Sequence, residues 1–597
     1  MEGRRAVTLR DRLRGVRIGF EAAFAVVSLG LATPLYAAAH APLQDLPQHI
    51  AAVSVLRRLL FGSSLDAVFE VTLSRTQYLL VYALGVPLSA LLGAEGAVRL
   101  LAAASLVAIP YALRFALRRS GGDERLAALS WPLLWNPQFF LGFLNLLIGV
   151  PLALVAIGLF ADPARRSEPR RQVALGALAL ATFYAHLIPF GVLGLGVLTT
   201  LSPPSGRLRA LGAELRGWIR QVVFLVPSLL AAALWVVRSP ANDATVLAGG
   251  VGTAAHAEWP SVPSLARELS NTLLDVPGDR DERLLLGWGL GVLAAVALSA
   301  KERRPSEAAG SPTRWMPLVG AVLFAAAYAL RHRTFEALWG PEVPPESTWS
   351  EIGFRAAMLA AVGAFVGLAF DRSSLRTSPP ADRPSLAWVP ALCAALYVVT
   401  PSSYGFIWPI HTRFPLVAAL LLPLWMPRRS LGRGAWLLVA ALGAASLGFV
   451  VDLRARVAQW QASELGDLDE ALAHARPGRR LVAILAPQSS AWVPNVPMLH
   501  VAAYYQARGG AVATFSFADF PQSPFRYREG QARPPRLPPR WEWTASLEVA
   551  DPDRSYYDYV LVRRGVSDSP AAEPTRYRLA FSGRDWLLYE RTREVIP

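Results

Sequence analysis

Apolar runs of about 15–25 residues recur between residues 18 and 451, each near the ~20 that a helix needs to cross a bilayer. They predict spans over 19–38, 77–93, 98–113, 139–160, 173–186, 187–201, 218–237, 284–300, 315–330, 352–370, 386–400, 415–426 and 435–451. A soluble core does not repeat this pattern so many times. Past residue 451 the pattern changes. Residues 453–474 read as a helix leaving the last span, 480–486 (Arg-Leu-Val-Ala-Ile-Leu-Ala) as a buried strand, and 496–508 as a helix stopped by Gly509-Gly510. Segments 511–517 and 559–563 read as strands, and 576–582 with 585–591, split by Gly583, as a hairpin. The breakers in 521–539 mark an ordered loop or a linker.

The expected fold is therefore mainly α: a polytopic transmembrane helix bundle of about 11–13 spans followed by a small C-terminal α/β domain. Its parts are an N-terminal segment 1–17, a transmembrane domain 18–451 whose first long loop is 39–76, and the α/β domain 452–597.

Composition supports this and charge adds sidedness. The 597 residues are 53% hydrophobic and only 17% charged, against about 25% in soluble proteins. The net charge of +15 sits in short clusters beside apolar runs, not on a continuous basic face with interleaved aromatics, so nucleic acid is not an expected partner. Lys301 is the only lysine. The single Cys393 lies in an apolar run, which excludes a disulfide framework and a cysteine metal site. Pro34 and the length of the first apolar run favour a retained first helix over a cleaved signal. With the N-terminus cytoplasmic, the clusters 165–171, 207–216, 301–304, 372–383 and 428–433 all fall inside. Loops 39–76, 238–283, 331–351 and 401–414 and the C-terminal domain then lie outside, on the non-cytoplasmic face. One stretch disagrees: Arg114, Arg118, Arg119 and Arg125 land outside on this count. The short apolar piece 126–135, with Pro132 and Pro137 around it, is a candidate half-span that would change the parity.

The most informative loop sequence is Pro42-Leu43-Gln44-Asp45-Leu46-Pro47-Gln48-His49. Pro47 suits the first turn of a helix, which puts Asp45 at the cap position and His49 one turn on. Val53, Leu56, Leu59 and Leu60, with Arg57 and Arg58 between, continue it as an amphipathic helix on the outer membrane surface. On residue types alone, Asp45 caps this helix. Further along stand Asn136-Pro137, Gly142-Phe143-Leu144-Asn145, Gly149-Val150-Pro151-Leu152, Tyr184-Ala185-His186-Leu187-Ile188-Pro189-Phe190, Tyr404-Gly405-Phe406 and His411-Thr412-Arg413-Phe414.

In this order the motifs resemble those of the GT-C superfamily of membrane glycosyltransferases, with Asp45-Leu46-Pro47-Gln48-His49 similar to the Asp-x-Pro-x-His version of bacterial members. The resemblance implies a GT-C-like bundle, a polyprenyl-phosphate-linked sugar donor drawn from the membrane lipid, and a glycan, lipid or protein acceptor. It makes Asp45 the general base that takes the acceptor's proton, or the group that holds the acceptor. A leaving phosphate asks for arginines at the outer surface: Arg413 first, then Arg331 and Arg333. His49, His186 and His411 join them as substrate-binding candidates. His49 would orient Asp45 or touch phosphate, and His186 either acts there or satisfies a freed carbonyl at a helix break. Several members carry an Asp-Glu pair where this chain has Asp45-Leu46, so Glu70 or Asp66 is the candidate second carboxylate. Asn145 reads as a packing hydrogen bond. One histidine, His256, beside Glu258 does not make a zinc site. No metal ligand set is read and no cofactor is called for, with a divalent cation left open. Trp259, Trp339, Trp349, Trp408 and Trp425 read as an interfacial belt. Two rivals stand beside the transferase: a transporter or lipid flippase, which would favour paired broken helices, and a non-catalytic partner in envelope assembly.

Overall fold

The computed structural model describes residues 9–62, 64–201, 208–238, 257–258, 260, 262–276, 280–301, 386, 388–404, 407–426, 431–485, 488–520, 522–530, 533–535, 546–565 and 576–592. The spans expected at 315–330 and 352–370, together with Arg331, Arg333, His256, Trp259, Trp339 and Trp349, lie outside these residues.

The chain opens with helix α1 (Leu9–Gly30), α2 (Leu46–Leu60), α3 (Leu80–Ser120), α4 (Pro137–Phe140), α5 (Leu144–Phe160), α6 (Pro169–Ala185) and α7 (Leu187–Thr200). Helices Leu208–Val222, Val226–Arg238, Val262–Leu273, Arg280–Lys301, Trp388–Val399, Arg413–Leu421 and Gly434–Trp460 follow. Among the described residues three helices are long and apolar enough to cross a membrane: Leu80–Ser120, Gly212–Arg238 and Gly434–Leu465. Shorter apolar helices, Ile18–Gly30, Leu144–Phe160, Leu187–Thr200, Trp388–Val398 and Arg413–Trp425, stand where other spans were expected.

The helix α3 changes the expected topology. Gly93 adopts φ 71° and ψ 165° inside it, a break in the helix that costs a residue without Cβ nothing. A Cβ at Gly85 would lie 3.7 Å from Leu101 and 2.8 Å from Val53 of α2. In a straight helix residues 85 and 101 stand about 24 Å apart, so the chain folds back at Gly93. The first arm starts where Leu79 N–H donates to Tyr184 O (2.9 Å). It ends where Arg99 donates to Ala38 O (3.4 Å) and Ala39 O, past the far end of α1. The second arm then runs antiparallel to α1, and Arg114 donates to Glu21 near the start of α1 (2.6 Å). Residues 77–93 are therefore an arm on the face that carries the first loop, not a span. At about 20 Å the arm is too short for a ~30 Å core.

That correction moves Arg114, Arg118, Arg119 and Arg125 to the N-terminal face. The positions of Asp123 and Arg125 agree: Leu431 N–H donates to Asp123 (2.9 Å) and Arg125 to Gly432 O (2.7 Å), next to Arg433 in the chain. The half-span is the 3₁₀ helix Glu124–Leu133, buried from Leu126 on. At about 2.0 Å per residue it reaches further than an α-helix, and irregular backbone is tolerated because protein covers it. It returns the chain to the loop face, where Gln44 N–H donates to Phe140 O (2.8 Å) and Asp45 N–H to Leu141 O (3.1 Å).

Short pairings tie the loops together. Strand β1 (Phe69–Val71) belongs to the first loop, while β2 (Ala257–Glu258) pairs with β3 (Ser403–Tyr404), joining the 238–283 and 401–414 loops. The C-terminal domain contains β4 (Arg480–Ile484), β5 (Val512–Ala513), β6 (Phe525–Tyr527), β7 (Tyr559–Arg563), β8 (Tyr577–Ser582) and β9 (Trp586–Arg591). Five of them form a sheet in the order β5-β4-β7-β9-β8, parallel across β4 and antiparallel from β7 onward. The hairpin and the two central strands match the sequence pattern. Among the described residues of the 521–539 connection is a strand: β6 pairs antiparallel with β1 of the first loop, Glu70 opposite Arg526.

Candidate functional site

The site grows from the start of α2. Asp45 occupies the cap position, yet its side chain makes no cap hydrogen bond. Its Oδ1 instead lies 3.2 Å from Nε2 of His500 in the C-terminal domain; the Asp45 side chain keeps 17% exposure while His500 has 2%. The carboxylate is thus held at Oδ1 while its side chain stays partly exposed. Gly142, at φ 83°, packs over it: a Cβ there would meet Asp45 N at 2.9 Å and Asp45 Cβ at 3.0 Å, so only glycine allows this approach.

His49 supports the same turn. Its Nε2 lies 3.1 Å from Gly142 O and its Nδ1 3.1 Å from the Tyr82 hydroxyl. A carbonyl only accepts, so Nε2 carries the hydrogen and Nδ1 accepts from Tyr82. Burial lowers its pKa from 6.5 to about 4, against the opposing pull of Asp45 and of the Gly142 carbonyl. Both ring nitrogens are engaged in holding the 142 turn beside Asp45.

Arg413 begins the helix Arg413–Leu421 and is 7% exposed. Its guanidinium sits 4.6 Å over the Phe143 ring and hydrogen-bonds Tyr78. Its Nη1 is 3.1 Å from His186 Nε2. His186 caps α7 by accepting the Ile188 N–H at Nδ1 (3.0 Å), so in the neutral ring Nε2 is a donor. Two donors then face one space, and Arg413 Nε is buried without a partner. Among the described residues no carboxylate stands within ion-pair distance of Arg413. An oxyanion placed to one side of the pair, accepting from both Nη1 and Nε2, would satisfy both.

The other candidates are engaged elsewhere. His411 stacks on Tyr397 (5.5 Å, 13°) with its Nε2 3.4 Å from Glu268, fastening the helix Val262–Leu273 to the 401–414 loop. Glu70 accepts from Arg526 at 2.5 Å in the β1–β6 pair, and the Asp66 carbonyl accepts from Arg528 (2.8 Å). Asn145 is buried with its Oδ1 unpartnered. Trp408 is 61% exposed. Among the described residues no group of three His, Cys, Asp or Glu is placed to hold a metal ion. Sequence reasoning missed His500, Tyr78 and Tyr82. His500 carried no signal beyond being a histidine in an otherwise apolar helix start, and the two tyrosines fell inside the segment 77–93 read as a span.

No protein-family model matches the chain, and no curated protein matches it. Among solved structures the chain is similar to ArnT from Cupriavidus metallidurans bound to undecaprenyl phosphate, at 16% identity and a TM-score of 0.46, over 96% of this chain and 98% of that one. The same protein in the apo state gives 14% identity and a TM-score of 0.40 over the same shares of both chains.

Proposed function

We propose that the protein is a membrane glycosyltransferase of the GT-C kind, moving a sugar from a polyprenyl-phosphate-linked donor to a glycan, lipid or protein acceptor on the periplasmic face of a bacterial inner membrane. The observation that carries this reading is Arg413, a buried guanidinium with donors to spare and no carboxylate partner among the described residues. A buried cation left unpaired is costly, and a phosphate ester at this point removes the cost. The opening carboxylate of Asp45 supplies the second requirement.

In this reading the acceptor's hydroxyl oxygen attacks the anomeric carbon while the bond from that carbon to the phosphate oxygen breaks. The bonding pair leaves with the phosphate as polyprenyl phosphate, and the acceptor's proton goes to the free oxygen of Asp45. Arg413 and His186 Nε2–H neutralise the charge that develops on the leaving oxygen. Along the helices that start at these two residues, Val150, Ala153, Pro189, Val192, Val417 and Leu421 line a small apolar pocket. A carrier would want charged groups along a path at mid-membrane; among the described residues Asp45, His186 and Arg413 gather at the loop face instead.

The test is binding of a polyprenyl phosphate to the purified full-length protein, read by native mass spectrometry. Wild type should retain the phosphate and not the free polyprenol, and Arg413→Gln should weaken retention by about tenfold or more, as expected for loss of one charge-assisted contact. Equal retention of polyprenol and its phosphate by wild type would overturn the reading.

A further inference from the structure

From the docking of the C-terminal domain we infer that His500 is a positioning residue for Asp45, so that this domain completes the acceptor side of the site rather than only covering it. The inference rests on the transferase reading above and deepens it. Asp45 Oδ1 has His500 Nε2 at 3.2 Å, and that nitrogen must carry the hydrogen to bond a carboxylate. His500 Nδ1 is buried with no partner. The ring therefore has a single polar task, and it is to hold one oxygen of Asp45.

The surroundings are built to keep it there. The His500 ring stacks on Phe515 (4.8 Å between centroids, 25°) with Phe517 at its edge (6.4 Å). Phe515 has φ 57°, the left-handed region that side-chain-bearing residues avoid, and backbone held in such a region persists only where its surroundings impose it. Gln48, in the first turn of α2 and 1% exposed, supplies that constraint. It donates to Phe515 O and accepts from Phe517 N–H (3.1 Å). The helix that carries Asp45 thus also pins the loop that fixes His500. A buried imidazole on one oxygen leaves the other oxygen in a defined direction for the acceptor's proton. Misdirection of the base by a fraction of an ångström slows transfer without touching the donor phosphate.

Full-length variants are expressed in a strain lacking the wild-type gene, and extracted lipids are analysed by mass spectrometry for a polyprenyl-phosphate-linked sugar that wild type consumes. Gln places its amide N–H where Nε2 stands, whereas Asn is equally polar but reaches only the Nδ1 position. His500→Gln should keep the lipid near the wild-type level. His500→Asn and His500→Leu should accumulate it at least fivefold, as Asp45→Asn does. If Gln and Asn behave alike, whether both consume the lipid or both accumulate it, the positioning role is overturned, and this holds even where His500→Leu fails to fold. If Asp45→Asn accumulates nothing, the transferase reading fails and the inference falls with it.

Discussion

His49 shows how much of the site is decided by single side chains. The folded protein holds its imidazole neutral by burial, with a pKa of about 4 against 6.5 for the free ring. The folded state therefore refuses a proton that the unfolded chain accepts. The contribution to stability is complete above about pH 6.5 and is lost as pH falls from there to about 4, amounting to roughly 3 kcal/mol by linkage. Thermal unfolding should show this slope in wild type and lose it in His49→Asn, which cannot titrate; an unchanged slope in the variant would place the effect elsewhere. The first-loop motif told where Asp45 and His49 stand in sequence, but not that the cap bond is absent. The cap is unused because the carboxylate finds a buried imidazole from residue 500, a partner that no local pattern announces.

At the level of elements, hydropathy measures how apolar a segment is and not where it runs. The arm before Gly93 is apolar on both sides: one packs on α2 and the other leaves Leu84 and Leu91 exposed. It therefore scores like a span. The contrary signal was present in the sequence as four arginines on the wrong side, and the structure sides with the arginines. The topology predicts that Phe61→Cys and Arg119→Cys, at two exposed positions, react with a membrane-impermeant maleimide from opposite faces of the membrane. Labelling of both from one face would mean that the 80–92 arm crosses the bilayer after all. The native Cys393 is buried and should stay silent.

Across the whole molecule, the sequence marked off an α/β domain after the last span but not its attachment. The attachment is made by contacts across more than 400 positions of sequence: Gln48 to Phe515 and Phe517, Ser54 to Ala507 O (2.7 Å), and Glu70 to Arg526. Residues so far apart leave no periodic trace. These contacts differ in weight. Gln48→Leu strands a part-buried carbonyl and a part-buried N–H and should cost about 1–3 kcal/mol. Glu70→Gln breaks a half-exposed ion pair and should cost under about 1 kcal/mol. Denaturant unfolding that ranked the two in reverse would contradict this view of the docking.

The central claim is that Asp45 takes the acceptor's proton at a site that has already bound a lipid-linked sugar. It is tested most directly by purifying Asp45→Asn from its own membranes and identifying the lipids that co-purify. The account predicts a folded protein, with the wild-type melting temperature, that retains an intact polyprenyl-phosphate-linked sugar while wild type retains only the spent polyprenyl phosphate. An Asp45→Asn protein that turns over its donor like wild type, or that carries no such lipid, would contradict it.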